Sequence, residues 1–185
     1  GDVTIITGTL DYGQGHAVAF AQVLHSFLGI PFERIKLLQG DSDELITGGG
    51  TGGSKSIMAS GGAIIEAATE VIKKAKTVAS YFFETSEEDI EFKDGNLTVA
   101  GTDKSVSLLE LSNELKTNFT THDGMPDTLD VKLDHGGVPS AFPNGCHICE
   151  VEIDPDTGAV KIDRYNMVND FGVLVNPLLV EGQCH

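Results

Sequence analysis

The sequence predicts an α+β fold, and three features of its 185 residues carry that reading. A strand, helix, strand unit opens the chain; residues 57–82 repeat apolar side chains at the helical period; and the last third alternates at the strand period. The expected architecture is a mixed β-sheet with packed helices, one long helix over about 56–83, and a C-terminal β-hairpin. The chain reads as a single fragment, 1–185, with lobes at 1–117 and 130–185.

Taken in order, Val3-Thr4-Ile5-Ile6-Thr7 is rich in β-branched residues and predicts a strand. Asp11 to Gly15 is a glycine-containing turn, and His16 opens a helix in which Val18, Phe20, Val23, Leu24, Phe27 and Leu28 recur near the helical period. His25, within that pattern, is expected to be a half-buried packing residue. Gly29 suits the left-handed residue beyond the helix end and Pro31 blocks continuation, so Ile35, Leu37 and Leu38 form the next strand.

Next comes Gly48-Gly49-Gly50-Thr51-Gly52-Gly53-Ser54-Lys55-Ser56, a glycine loop that feeds directly into the longest helical pattern. Ile57, Gly61, Ile64, Ile65, Ala68, Val71, Ile72, Ala75, Val78 and Phe82 form a stripe sustained over about seven turns, which predicts a long, largely buried helix. The adjacent Gly61 and Gly62 predict close packing of its first turns against other backbone. Ile90 to Lys93 and Leu97 to Ala100 flank Asp94-Gly95-Asn96 as a hairpin. Ser107 and Glu110 have capping-box spacing before a shorter helix from Leu108.

Residues 118–144 are poorly patterned, apart from the alternating piece Val131-Lys132-Leu133. Strand alternation returns from His147 to Asp154, turns at Asp154-Pro155-Asp156-Thr157-Gly158, and runs back through Val160, Ile162, Tyr165, Met167 and Val168, with a change of phase near Arg164 that predicts a bulge. Asp170-Phe171-Gly172 ends the strand, and Leu178-Leu179-Val180 starts a helix. The opening without an initiator Met, and the abrupt stop at Cys184-His185, are read as a fragment of a longer polypeptide whose targeting signals are not visible.

Composition narrows the function. A formal charge of −16 excludes a nucleic-acid surface, which needs clustered Lys and Arg. No run approaches the roughly 18 apolar residues of a membrane helix. Cys146, Cys149 and Cys184 do not make a disulfide framework, and strand alternation sends the first two thiols to opposite faces, so neither a zinc site nor a redox pair is expected. A reducing, cytoplasmic setting follows.

The glycine loop is the strongest candidate site. Its backbone can approach a ligand closely, and Ser54, Lys55, Ser56 and the first N–H groups of the following helix can face an anion. A P-loop would need a second glycine where Ser54 stands and a buried strand where Asp43 to Thr47 stands. That nucleotide-binding reading is the first alternative; a non-catalytic interaction module using the β-hairpin is the second.

Several motifs in order resemble one family: Gly13-Gln14-Gly15-His16; Gly50 through Ser56; Phe142-Pro143-Asn144-Gly145 through Asp154, with Asp156-Thr157-Gly158; and Asp170-Phe171-Gly172 through Asn176-Pro177 to Gly182-Gln183. Together they are similar to the molybdopterin-binding large subunit of the xanthine dehydrogenase, aldehyde oxidase and aerobic carbon monoxide dehydrogenase family, over nearly the whole chain. Departures are Ala17-Val18 where a Glu-Thr or similar pair commonly follows, and Lys55 where Arg commonly stands.

The resemblance implies a molybdenum hydroxylase that oxidises a small substrate with water-derived oxygen, the isolated fragment being inactive. Its cofactor would be a molybdenum-pyranopterin dinucleotide, in bacteria often the cytosine form, with iron–sulfur clusters and FAD carried by partner subunits or domains. The expected cofactor contacts are Gln14, Gly15 and His16; Thr51, Gly52, Gly53, Ser54, Lys55 and Ser56; and Gln183. The metal is held by the cofactor, so no protein ligand is assigned. The family's catalytic glutamate belongs to a segment beyond these residues, so no catalytic residue is assigned either. The expected partners are the remainder of the large subunit, the iron–sulfur and flavin subunits, and a small-molecule substrate.

Overall fold

A computed structural model describes residues 1–118 and 122–185. The chain divides into two compact units, Gly1–Pro139 and Ser140–His185.

In the first unit, β1 (Val3–Ile6) pairs in parallel with β2 (Ile35–Leu38), in register Val3 with Ile35 through Ile6 with Leu38. Helix α1 (His16–Leu28) makes the crossover, because a parallel pair cannot be closed by a tight turn. Its inward stripe of Phe20, Leu24 and Leu28 is buried. His25 is exposed, not half-buried: its Nδ1 lies 2.7 Å from the Ile30 carbonyl, beyond the helix end, so the ring turns toward backbone instead of the core. Gly29 closes the helix at φ 66, and a Cβ there would sit 2.3 Å from the Asp94 carbonyl carbon, so only glycine lets α1 end against the next hairpin turn.

Helix α2 (Ser56–Phe83) runs 28 residues and touches α1, β3, β4 and α3, which makes it the axis of the unit. Its burial is narrower than the sequence suggests. Ser60, Gly61, Ile64, Ala68, Ala75, Val78 and Ala79 are buried, whereas Ile57, Ile65 and Phe82 of the same apolar pattern are exposed. One helix stripe meets one core. The paired glycines also have different reasons. A Cβ on Gly62 would lie 2.7 Å from the His135 Nε2, so that position packs under a side chain and not under backbone; a Cβ on Gly61 would meet only Ile57, at 3.8 Å.

Strands β3 (Ile90–Lys93), β4 (Asn96–Val99) and β5 (Ser105–Ser107) form an antiparallel sheet, so parallel and antiparallel pairings fall in separate sheets. Asp94 and Gly95 make the hairpin turn at φ 48 and 78, as the Asp-Gly pair requires. The three-residue β5 carries too short a pattern to be read from sequence; it is held by pairing with β4. Helix α3 (Leu108–Thr117) starts at the expected capping box, with Glu110 N–H donating to Ser107 Oγ at 3.2 Å and Ser107 N–H to Glu110 Oε2 at 3.2 Å.

Residues 122–139 carry no strand, Val131 to Leu133 included, yet they are anchored to α2. Met125 and Leu129 enter the core, Lys74 Nζ donates to the Asp130 carbonyl at 2.6 Å, and His135 Nδ1 meets Glu66 Oε2 at 2.5 Å.

The second unit is a long hairpin of β6 (Asn144–Ile153) and β7 (Val160–Asp170), followed by α4 (Pro177–Cys184). The bulge falls where the phase changes: Glu150 faces Arg164 but Val151 faces Ile162, leaving Asp163 as the extra residue. Asn176 caps α4 by accepting from Leu179 N–H at 3.0 Å. Cys146, Cys149 and Cys184 are free thiols.

Candidate functional site

The carboxyl ends of β1 and β2 and the starts of α1 and α2 converge in the first unit, and most of the candidate residues lie there. Chain segments leaving a parallel pair at its carboxyl edge are a common place for ligands.

The first loop is organised by a residue the sequence reading passed over. Asp11 accepts from Gly13 N–H and Gln14 N–H through Oδ1, each at 2.8 Å, and from His16 N–H through Oδ2 at 2.9 Å. Two of these donors belong to the turn and one, His16 N–H, to the first residue of α1, whose N-cap Gly15 makes no side-chain cap; the carboxylate therefore braces the turn and sets a negative charge at the positive end of the helix. Burial opposes its ionisation, but the backbone donors of Gly13, His16 and Gln14, together with the nearby His16 ring, outweigh that and hold the carboxyl below its ordinary value. Gln14 turns its side-chain oxygen back onto the Tyr12 N–H. His16 is buried and stacks on Phe20 with ring centroids 4.8 Å apart, so it belongs to the floor of the site.

The glycine loop has another character. Gly50, Gly53 and Ser54 adopt φ of 68, 67 and 52, bending the backbone tightly before α2. A Cβ on Gly49 or Gly52 would meet nothing within 4 Å, so the outer side of the loop is open. Lys55 precedes the first helical residue, is exposed, and no side chain caps the helix start. Ser56 Oγ donates to Thr51 Oγ1 at 3.4 Å, which ties the loop to the first turn. Residues 43–47 form turn and bend, not the buried strand that a P-loop requires.

The two loops meet through residues 7–10. Gly49 N–H and Gly50 N–H both donate to the Gly8 carbonyl, at 3.2 and 3.0 Å, and Leu10 N–H donates to Thr51 Oγ1 at 3.1 Å. At this crossing a Cβ on Gly8 would stand 2.5 Å from both Gly48 Cα and the Thr47 carbonyl oxygen. Beneath it lies a polar cluster. Gln39 Nε2 donates to Thr7 Oγ1 and Thr9 Oγ1 at 2.8 Å each, and Thr9 Oγ1 stands 3.4 Å from Ser60 Oγ on α2. Alongside the crossing, a cleft of about 360 Å³ is lined by Gly8, Thr9, Leu10, Gly40, Ser42 and residues 45–48 with Gly50.

The structure therefore brings Gln14, Gly15 and His16 into one region with Thr51 to Ser56. Gln183 lies in α4 of the second unit. The sequence reading missed Asp11, Thr7, Thr9, Gln39 and Ser60. Asp11 could have been found from its spacing to Gly13, the pattern of an aspartate that bonds backbone two residues on. Among the described residues, no three His, Cys, Asp or Glu side chains are grouped to hold a metal ion, and no helix is long and apolar enough to cross a membrane.

A family model described as the molybdopterin cofactor-binding domain matches residues 1–185. The chain is 38% identical over 185 residues to the nicotine 6-hydroxylase large subunit of Paenarthrobacter nicotinovorans, covering 99% of this chain and 23% of that protein. It is 32% identical over 179 residues to the carbon monoxide dehydrogenase large chain of Hydrogenophaga pseudoflava, covering 96% and 22%. Among solved structures, quinoline 2-oxidoreductase from Pseudomonas putida 86 superposes with a TM-score of 0.81 at 31% identity, covering 99% of this chain and 23% of that one. The chain thus spans less than a quarter of the length of the relatives it matches.

Proposed function

Since the chain belongs to the molybdopterin cofactor-binding domain family, we propose that its loops form one wall of the cofactor site in a molybdenum hydroxylase acting on a small substrate. The nucleotide-hydrolysing alternative is not favoured: the family match spans the whole chain, and residues 43–47, directly before the glycine loop, form no strand. When bound, the molybdenum pterin group would supply the two-electron oxidation and the transfer of water-derived oxygen. The protein's share is binding, orientation and electrostatics.

The observation that carries this reading is the open, side-chain-uncapped start of α2, fronted by Gly52, Gly53, Ser54 and Lys55. Backbone N–H groups and the dipole of a 28-residue helix favour a phosphate there, and the Lys55 ammonium adds a point charge. These residues fit the phosphates of a pterin dinucleotide; Thr51 and Ser56 supply hydroxyls beside them. The first loop fits a neutral polar edge instead, because Asp11 already occupies the Gly13, Gln14 and His16 N–H groups. Gln14, whose side-chain oxygen accepts from Tyr12 N–H, has its carboxamide NH2 left to donate; Gly15 and His16 are proposed beside it. Gln183 is assigned a second carboxamide contact to the same group.

The cytosine dinucleotide form, iron–sulfur and FAD partner subunits, and a cytoplasmic location complete the proposal. Relatives named as a large subunit, a large chain and a subunit of a dehydrogenase complex support the multi-subunit part. The test is the pterin and nucleotide content of the full-length protein after desalting. Gln14→Ala and Ser54→Ala should each lower it about tenfold, the scale of one lost hydrogen bond to a charged or polar ligand. Unchanged content in both variants would sink the site assignment.

A further inference from the structure

We infer that Gln39, which extends from the end of β2, is the positioning residue that holds the glycine loop in place. Its carboxamide nitrogen donates to the hydroxyls of Thr7 and Thr9, the two residues that flank Gly8. The Gly8 carbonyl in turn receives both Gly49 N–H and Gly50 N–H. With the Thr7 and Thr9 hydroxyls also 2.9 Å apart, this side chain pins the chain on either side of the acceptor that Gly49 and Gly50 share.

The crossing it holds leaves no slack. Gly8 and Gly48 approach so closely that a Cβ on Gly8 would overlap backbone at 2.5 Å. A small rotation of residues 7–9 therefore moves Gly48 to Gly50 directly. Thr7 is buried and Gln39 is half-buried, so the cluster acts out of bulk water, where a missing partner is costly. Gln39 Nε2 also lies 3.4 Å from His16 Nδ1, which brings the start of α1 to the same carboxamide. None of these atoms belongs to the open side of the loop. The role of Gln39 toward the cofactor, which rests on the function proposed above, is exerted through Gly8.

The experiment is native-state hydrogen exchange on the full-length protein, with cofactor content read on the same samples. Gln39→Leu should speed exchange at Gly49 and Gly50 about tenfold, while the amides of Leu97 and Leu111 in the core keep their wild-type rates. Gln39→Glu should restore the wild-type rates, because the Thr7 and Thr9 hydroxyls can rotate to donate to a carboxylate oxygen. Thr9→Val, which leaves Gln39 and Thr7 paired, should give a smaller acceleration at the same two amides. Unchanged exchange at Gly49 and Gly50 in Gln39→Leu and Thr9→Val overturns the inference, as does an acceleration spread evenly over the core. Accelerated exchange without loss of cofactor from Gln39→Leu would uphold the positioning role and overturn the assignment of the glycine loop to the cofactor.

Discussion

The starts of α1 and α2 lie on the same polar cluster and solve the same problem in opposite ways. Both helices begin after a glycine-rich turn, with backbone N–H groups that have no partner within the helix. At α1 the chain supplies its own anion: the Asp11 carboxylate takes the His16 N–H of the first helical residue together with the Gly13 and Gln14 N–H groups of the turn before it. At α2 no side chain does so, and Lys55 adds positive charge at the same end. The difference shows that a Gly-rich loop before a helix is not by itself an anion site. What matters is whether a nearby carboxylate has already filled it. Helix α3, closed by Ser107 and Glu110, is a third helix start and sides with α1.

This contrast can be broken from either end. The largest effect is expected from Gly8→Ala, which forces a Cβ into the Gly48 crossing and should cost about 1–3 kcal/mol in denaturant unfolding, the range for overpacking. A loss below about 0.5 kcal/mol would mean that the crossing yields and does not position α2.

Next is Asp11→Ala, expected to cost about 1–2 kcal/mol, since the first helical N–H, at His16, and the two turn N–H groups of Gly13 and Gln14 lose their partner. Its pH dependence has a defined sign. The folded carboxyl titrates below its ordinary value, so the stabilisation is full above the unfolded value of about 3.9 and fades as the pH falls through the folded value. The wild-type and Asp11→Ala unfolding curves should therefore stay apart at neutral pH and converge in acid; a constant gap down to the acid limit would contradict the capping role.

The smallest effect on folding is expected from Lys55→Ala, within about 0.5 kcal/mol, because the residue is exposed and caps nothing. Its effect should appear instead as cofactor lost from the full-length protein, more steeply at low than at high ionic strength, because salt already screens an exposed charge. A stability loss larger than that of Asp11→Ala would reverse the assignment of the two helix starts.

Much of the fold was legible from local pattern. Gly29, Pro31, Asp94-Gly95, the Ser107 and Glu110 pair and the phase change near Arg164 each act within a few residues, and each lies where the structure uses it. Burial along α2 was less legible. Apolar spacing says which side chains share a face, but Ile57, Ile65 and Phe82 are left outside because the layers packed on α2 cover only part of that face. His25 shows the same limit at one residue: its spacing suits the core, and a carbonyl beyond the helix end takes the ring instead.

For the site, the sequence by itself determined the loops: where glycines cluster, which residues start a helix, and that Lys55 and Ser56 stand at the start of the longest one. It also carried the ordered motifs that point to the family. Tertiary structure alone decided which helix start stays open and what holds the glycine loop. Those answers depend on Gly8 meeting residues forty positions away and on Gln39 reaching Thr7 and Thr9 from the neighbouring strand. The physical reason is range. Turn and cap chemistry is settled within one helical turn, whereas a hydrogen bond between distant segments exists only once packing has brought them together.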